Sequence, residues 1–215
     1  MSAARLEFVA GISGASGSAL AIRFLAALAG RSEVGAVHVV VSERAILVAQ
    51  SEIDGKISAP GDLVARAGLD ASAAKKIRLH DNEALAAPIS SGSYPVAGMA
   101  IVPCSAGTLG ALASGTSRGL LQRAGDVALK ERRRLVLAFR ESPLSLIHIE
   151  NLRAVTLSGA IVAPPVPPYY LRGATVETYL DHSVNRILDL LGLPPERDEL
   201  RWGKGKKRRA RTDGR

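Results

Sequence analysis

The stretch Leu6–Ala29 reads LEFVA-GISGASG-SALAIRFLAALA: a short apolar run, seven residues holding three glycines, then a helical pattern rich in alanine and leucine. The run spans Leu6–Ala10, the turn Gly11–Gly17 and the helix Ser18–Ala29. The unit recurs along the chain. Further apolar runs stand at Ala36–Val41, Met99–Val102, Leu135–Phe139 and Ala160–Ala163. Further helical patterns stand at Glu43–Glu52, Thr108–Ala113, Leu120–Glu131, Ile149–Leu157 and Val176–Leu191. The runs lack the polar alternation of a half-exposed strand, as strands covered on both faces do. Strands alternating with helices predict an α/β fold: a doubly wound parallel sheet between two helical layers. In the last helix Val176, Leu180, Val184, Ile187, Leu188 and Leu191 form one stripe, which Gly192 and Pro194 end. Residues 54–95 are expected to form helical turns and loops on the sheet's edge.

Composition narrows the class. Of 215 residues, 47% are hydrophobic and 22% charged, which excludes a disordered chain. A single cysteine, Cys104, excludes a disulfide framework. With 4% aromatics the core must be aliphatic. The net charge of +8 is not spread evenly: eight of the 28 Lys/Arg lie in residues 201–215, against one acid, Asp213. The other 200 residues hold 20 Lys/Arg and 19 Asp/Glu, so the body is nearly neutral. Residues 1–200 are expected to form one domain and 201–215 a solvated, disordered tail rather than a nucleic-acid arm. The most apolar stretch, 96–113, is broken by Pro103, Ser105 and three glycines, so no membrane span is expected. Glu7 and the glycine turn stand where a signal peptide needs an apolar segment, which points to the cytoplasm.

In open parallel sheets ligands bind beyond the carboxyl ends of the strands. Here those ends carry Gly11–Gly17, Ser42, Pro103-Cys-Ser-Ala-Gly-Thr108, Arg140-Glu141-Ser-Pro and Pro164–Tyr170. Such segments are expected to line one rim. The glycine turn supports two readings equally: a backbone cradle for phosphate at a helix start, or a tight turn that packs strand against helix. Its G-x-x-G-x-x-G spacing is not the dinucleotide fingerprint. Arg132–Arg134 read as a solvated helix end. Lys130 and Arg140, each beside an acid, read as a positive pair near the rim, suited to a phosphate leaving group. Arg186 interrupts the stripe of the last helix and reads, from spacing alone, as a snorkelling side chain. His38, His80, His148 and His182 lack metal-ligand spacing, and His38 inside an apolar run reads as a satisfied core residue. Cys104 has no local histidine partner and reads as a buried bystander.

Taken together, Gly11–Gly17, Pro103-Cys-Ser with Gly107-Thr-Leu, Arg123–Arg133, Leu135-Val-Leu with Arg140-Glu-Ser-Pro, Ile147-His-Ile-Glu-Asn, Gly159-Ala-Ile and Pro167-Pro-Tyr-Tyr170 closely resemble the UbiX family of flavin prenyltransferases. The motifs run in order from about residue 6 to Trp202, Arg201-Trp-Gly included. The resemblance implies a flavodoxin- or Rossmann-like fold, often dodecameric, with its site at a subunit junction. It implies reduced FMN and dimethylallyl phosphate as substrates, prenylated FMN as product, a UbiD-type decarboxylase as recipient, and no metal. By position Gly14, Ala15, Ser16, Ser42, Ser105, Ala106, Gly107, Thr108 and Arg140 would hold FMN. Ser91, Gly92, Arg123, Lys130, Arg140, Tyr170 and Arg186 would hold the prenyl phosphate. Catalytic roles would fall to Glu141 as general acid, to Lys130 at the phosphate, and to Ser16 and Glu52 near the flavin. The chain departs from the family at Asn82–Glu83, where relatives often carry an aromatic residue, and at Arg118, Gly125 and Tyr169. A cysteine decarboxylase of the same fold would want Asn where Gly107 stands. A non-catalytic flavin carrier would have no use for Lys130, Arg140, Glu141, Tyr170 and Arg186.

Overall fold

The structure, a computed structural model, describes residues 5–194; the expectations for Arg201-Trp-Gly and for the basic tail lie outside those residues. The chain runs β1 (Leu6–Ile12), α1 (Ser18–Gly30), β2 (Val34–Val41), α2 (Glu43–Glu52), α3 (Pro60–Ala65), α4 (Ala71–Ala74), β3 (Ile77–His80), β4 (Gly98–Cys104), α5 (Ala106–Ser114), α6 (Leu120–Lys130), β5 (Arg134–Phe139), α7 (Leu146–Leu157), β6 (Ile161–Val162) and α8 (Val176–Leu190). All pairings are parallel, in the order β3-β2-β1-β4-β5-β6. That order reverses between β1 and β4, which makes their carboxyl ends the topological switch point.

The period of two along each strand sorts side chains into two cores. Phe8, Ala10, Ile12, Ala100, Val102, Val136 and Ala138 pack under α1, α2 and α8. Val9, Met99, Ile101, Leu135, Leu137 and Phe139 pack under α5, α6 and α7. Phe24, Leu25 and Leu28 of α1 are at most 1% exposed. Each such side chain contributes about 1.5–3 kcal/mol by leaving water.

Three expectations need correction. Residues 54–95 hold a sixth strand, β3, besides short helices. Its sequence, Ile-Arg-Leu-His, alternates as an edge strand does, but four residues between Lys76 and Asp81 give too short a signal. Strands and helices also run past their expected limits. Gly11 and Ile12 pair with Val40 and Val41, and Ser105 and Ser145 cap α5 and α7 one residue ahead of their first turns. Finally, two of the arginines at 132–134 are fasteners rather than a solvated end. Arg133 donates to the carbonyls of Gly92 (2.6 Å) and Tyr94 (2.8 Å), and Arg134 donates to that of Leu191 (3.3 Å). Loop and helix-end carbonyls without ladder partners need such donors.

Candidate active site

At the switch point the turn after β1 is held from two sides. Ser13 Oγ donates to the Pro103 carbonyl at 2.9 Å and accepts from Ser105 N at 2.8 Å, clasping the ends of β1 and β4. Ser13 is not among the expected site residues; its only signal in the sequence is a hydroxyl inside a glycine-rich turn. A Cβ on Gly14 would lie 2.5 Å from Arg44 Cβ, so glycine there lets α2 approach. Gly17 takes φ +127°, a conformation that disfavours a side chain.

Gly17 offers no side-chain cap to α1, and Glu52 supplies one from the far end of α2. Its carboxylate accepts from Gly17 N at 3.0 Å and Ser18 N at 2.7 Å, and from the Ser16 hydroxyl. Burial raises the Glu52 pKa, but these hydrogen bonds outweigh it and the net shift is downward. The Gly17 and Ser18 amides at the start of α1 are thus taken by a carboxylate, and Gly14 lets the turn pack closely on α2. Ser16 and Glu52 do come together, through the hydrogen bond of the serine hydroxyl to the carboxylate.

The next two strand ends add capped helix starts. Ser42 caps α2 through Ala45 N, and its own amide bonds the Ile12 carbonyl. Ser105 caps α5 through Thr108 N, while an added Cβ on Gly107 would meet nothing within 4 Å. Ala106 and Gly107 lie in the first turn of α5, where helix amides lack intrahelical acceptors. Arg140 N bonds the Cys104 carbonyl at 3.1 Å, which sets Arg140 and Glu141 on this rim with exposed side chains. Cys104 itself is wholly buried, and burial pushes its thiol up to about 12. A disulfide reagent at pH 8 is therefore expected to modify native protein at least about a hundredfold more slowly than unfolded protein. Comparable rates in a thiol-release assay would remove Cys104 from the bystanders.

The second group of expected residues lies elsewhere. Lys130 closes α6 and pairs with Glu131, beside Gly92 in the loop before β4. Arg123 donates to the Ser90 carbonyl at 3.1 Å and to Asp126 at 2.6 Å, and Ser91 Oγ bonds Ser93 Oγ. These residues precede β4 and β5 and so occupy the amino rim, whereas Arg140 follows β5. The six residues of β5 hold the rims about 20 Å apart at 3.3 Å per residue. The expected Lys130–Arg140 pair does not exist within one chain, because the length of β5 stands between the two residues.

Tyr170 and Arg186 form a third group along α8. Tyr170 Oη lies 2.9 Å from His182 Nε2, and Arg186 pairs with Asp189 at 2.8 Å. The Arg186 side chain is 58% exposed, so it does not lie along apolar surface as spacing suggested. The departures are local. Asn82 accepts from Leu120 N (2.6 Å) and Leu121 N (3.1 Å), so it caps α6 rather than enclosing a ligand. Gly125 lets α5 approach, since a Cβ there would lie 2.7 Å from Leu112 Cδ2. Nothing in the structure explains Arg118 or Tyr169. Among the described residues no three His, Cys, Asp or Glu side chains gather as metal ligands, and no helix is long and apolar enough to cross a membrane.

A doubly wound sheet with a glycine turn and capped helix starts at its switch point defines a nucleotide- or flavin-binding α/β protein. The flavoprotein family model matches residues 2–175. The chain is 38% identical over 201 residues to flavin prenyltransferase UbiX of Archaeoglobus fulgidus, covering 92% of this chain and all of that one. It is 41% identical to AnUbiX (PadA1), solved in complex with FMN and dimethylallyl pyrophosphate, with a TM-score of 0.77 over 89% of this chain and 94% of the other. A dodecameric FMN-dependent UbiX-like decarboxylase from Escherichia coli O157:H7 matches at 37% identity and TM-score 0.77, over 88% and 97%. The chain belongs to the UbiX flavin prenyltransferases and is a transferase. A cysteine decarboxylase, TvaF, shares the fold at 16% identity and TM-score 0.55, and the likeness ends there.

Proposed function

We propose that this protein transfers the dimethylallyl group of dimethylallyl phosphate to reduced FMN, and that the prenylated FMN serves a UbiD-type decarboxylase. The observation that carries this reading is the exposed Arg140–Glu141 pair at the carboxyl end of β5, with Lys130 before its amino end, in a chain like UbiX over nearly its whole length.

Gly14–Ser16, Ser42, Ser105–Thr108 and Arg140 would hold FMN. The open space at Gly107 and the first-turn amides of α5 suit an anionic, planar guest. Bound and reduced, FMN supplies the electron-rich ring whose nitrogen and neighbouring carbon take the prenyl group. Breaking the allylic carbon–oxygen bond leaves negative charge on phosphate, which fixed cations stabilise. Lys130, Arg140, Arg186 and the Tyr170 hydroxyl grip that phosphate with Ser91 and Gly92, while Arg123 holds their loop. Glu141 gives a proton to the leaving oxygen. Ser16 and Glu52 hold and pass a proton beside the flavin.

One phosphate can meet Lys130 and Arg140 only where copies of the chain join. A surface for joining begins three residues after Glu141. Leu146, Ile147 and Leu157 of α7 are each 71% exposed, with Ile149 and Leu144 beside them, an apolar patch on a helix that buries only Val155. The working form is a homo-oligomer, as the dodecameric relative is. Reduced flavin and a lone buried thiol suit the cytoplasm.

Anaerobic incubation with reduced FMN and dimethylallyl phosphate, followed by mass analysis of the extracted flavin, tests this. One added prenyl unit is the expected result. Unmodified flavin with both mono- and diphosphate donors would end the reading.

A further inference from the structure

Four titratable side chains from four segments meet on the sheet face that α5–α7 cover, apart from every catalytic group named above. They are Glu7 of β1, His38 of β2, His80 of β3 and Tyr94 of the loop into β4. His38 is 4% exposed. Its Nε2 lies 3.0 Å from Glu7 Oε2, and its Nδ1 lies 2.9 Å from His80 Nε2. Tyr94 Oη donates to the same Glu7 oxygen at 2.6 Å and lies 3.4 Å from His38 Nε2. The imidazoles are nearly coplanar, at 15° with centroids 5.2 Å apart, so one ring nitrogen points at the other in plane. Arg78 of β3 adds positive charge near Glu7 and Tyr94, and Arg133 holds the Tyr94 carbonyl.

Hydrogens can be placed in this cluster in few ways. Glu7 accepts twice, so His38 Nε2 and Tyr94 Oη carry hydrogens. The contact between His38 Nδ1 and His80 Nε2 has room for one hydrogen. Two neutral rings supply it, and so does one neutral ring beside one imidazolium. Two imidazoliums would set N–H against N–H.

We infer that Glu7, His38, His80 and Tyr94 act as positioning residues for the Ser91–Tyr94 loop, and that they hold it only while at most one of the two imidazoles is protonated. Arg133 clamps the backbone of that loop at Gly92 and Tyr94, and the quartet clamps its phenol. Burial first, and the charge of His38 second, hold His80 below its ordinary 6.5. Glu7 is held below its ordinary value, first by the Tyr94 hydrogen bond and then by that of His38, so it stays ionised in mild acid. The hydrogen bond to Glu7 raises Tyr94, which keeps its hydrogen. The sign follows. A lowered value in the closed loop means that the open loop binds more protons, so closure is fully favoured above 6.5 and weakens as pH falls toward the lowered value. The consequence for substrate rests on the reading of Ser91 and Gly92 as prenyl phosphate contacts.

His80→Gln separates charge from hydrogen bonding. Its amide can donate to His38 Nδ1 or accept from it, and it cannot be protonated. Hydrogen exchange over residues 90–98, corrected for intrinsic rates, is compared at pH 7.5 and 5.5. Wild-type protection is expected to fall about fivefold to tenfold relative to His80→Gln, the effect of one differentially bound proton. Tyr94→Phe, which leaves both imidazoles, should lower protection at both pH values and keep the pH response. Equal pH responses in wild type and His80→Gln would overturn the inference. In parallel, the ratio of wild-type to His80→Gln KM for dimethylallyl phosphate should rise by a similar factor at pH 5.5 with the kcat ratio flat; the ratio cancels ionisation of the phosphate itself. A flat KM ratio with responsive exchange would overturn the link to substrate. Responsive exchange without any prenylated flavin would retain the loop device and remove the prenyl transfer reading.

Discussion

Glu141→Gln lowers the rate of prenyl transfer by about 10²–10⁴-fold, the range ordinarily lost with a general acid. The amide keeps the size and polarity of the side chain but has no proton to give the leaving phosphate. Glu141 is exposed, and its carboxylate accepts from the neighbouring Ser142 N at 3.0 Å. The fold therefore loses nothing with it, and stability should stay within about 0.5 kcal/mol. Single-turnover formation of prenylated flavin, beside a thermal melt and an FMN titration, checks all three quantities. A variant that turns over within about threefold of wild type would move the proton donor to another residue.

Ile147→Asp breaks the assembly and takes activity with it. Within one chain Ile147 is 71% exposed, so a carboxylate there leaves the monomer's core untouched. Between chains the same carboxylate would be buried without a partner at every equivalent junction, at a cost of several kcal/mol each. Light scattering should show the monomer mass with unchanged circular dichroism, and prenyl transfer should fall by roughly a hundredfold or more, as Lys130 and Arg140 part. A sharper form uses two further variants. Lys130→Ala and Arg140→Ala are each expected to be inactive, yet mixed subunits should regain activity, because some junctions would pair the intact rims. No recovery on mixing, with mixed assemblies confirmed by mass, would place both residues in one subunit's site.

Much of the fold and part of the site are legible in the chain alone. The alternation of runs and helices is local, since a period of two or 3.6 and a serine ahead of a helix act over a few residues. So β1, β2, β4, β5 and β6 fall where the apolar runs stand, and α2 matches Glu43–Glu52 to the residue. The motifs around Arg123–Arg133 and Arg140-Glu141 are readable in another way, through their resemblance to the UbiX family. What escapes has no local signature. β3 is four residues on an exposed edge. Ser13 and Arg133 bond to atoms 90 and 39 to 41 residues away.

By itself, then, the sequence determined the element types, the two-sided burial of the sheet and the family. Tertiary structure alone decided which of these meet. It set Glu52 on the start of α1 and brought Glu7, His38, His80 and Tyr94 to one point. It also placed Lys130 and Arg140 at opposite ends of β5. Strand order and strand length determine such meetings, and both are settled by packing between segments far apart in the chain, where no local pattern reaches.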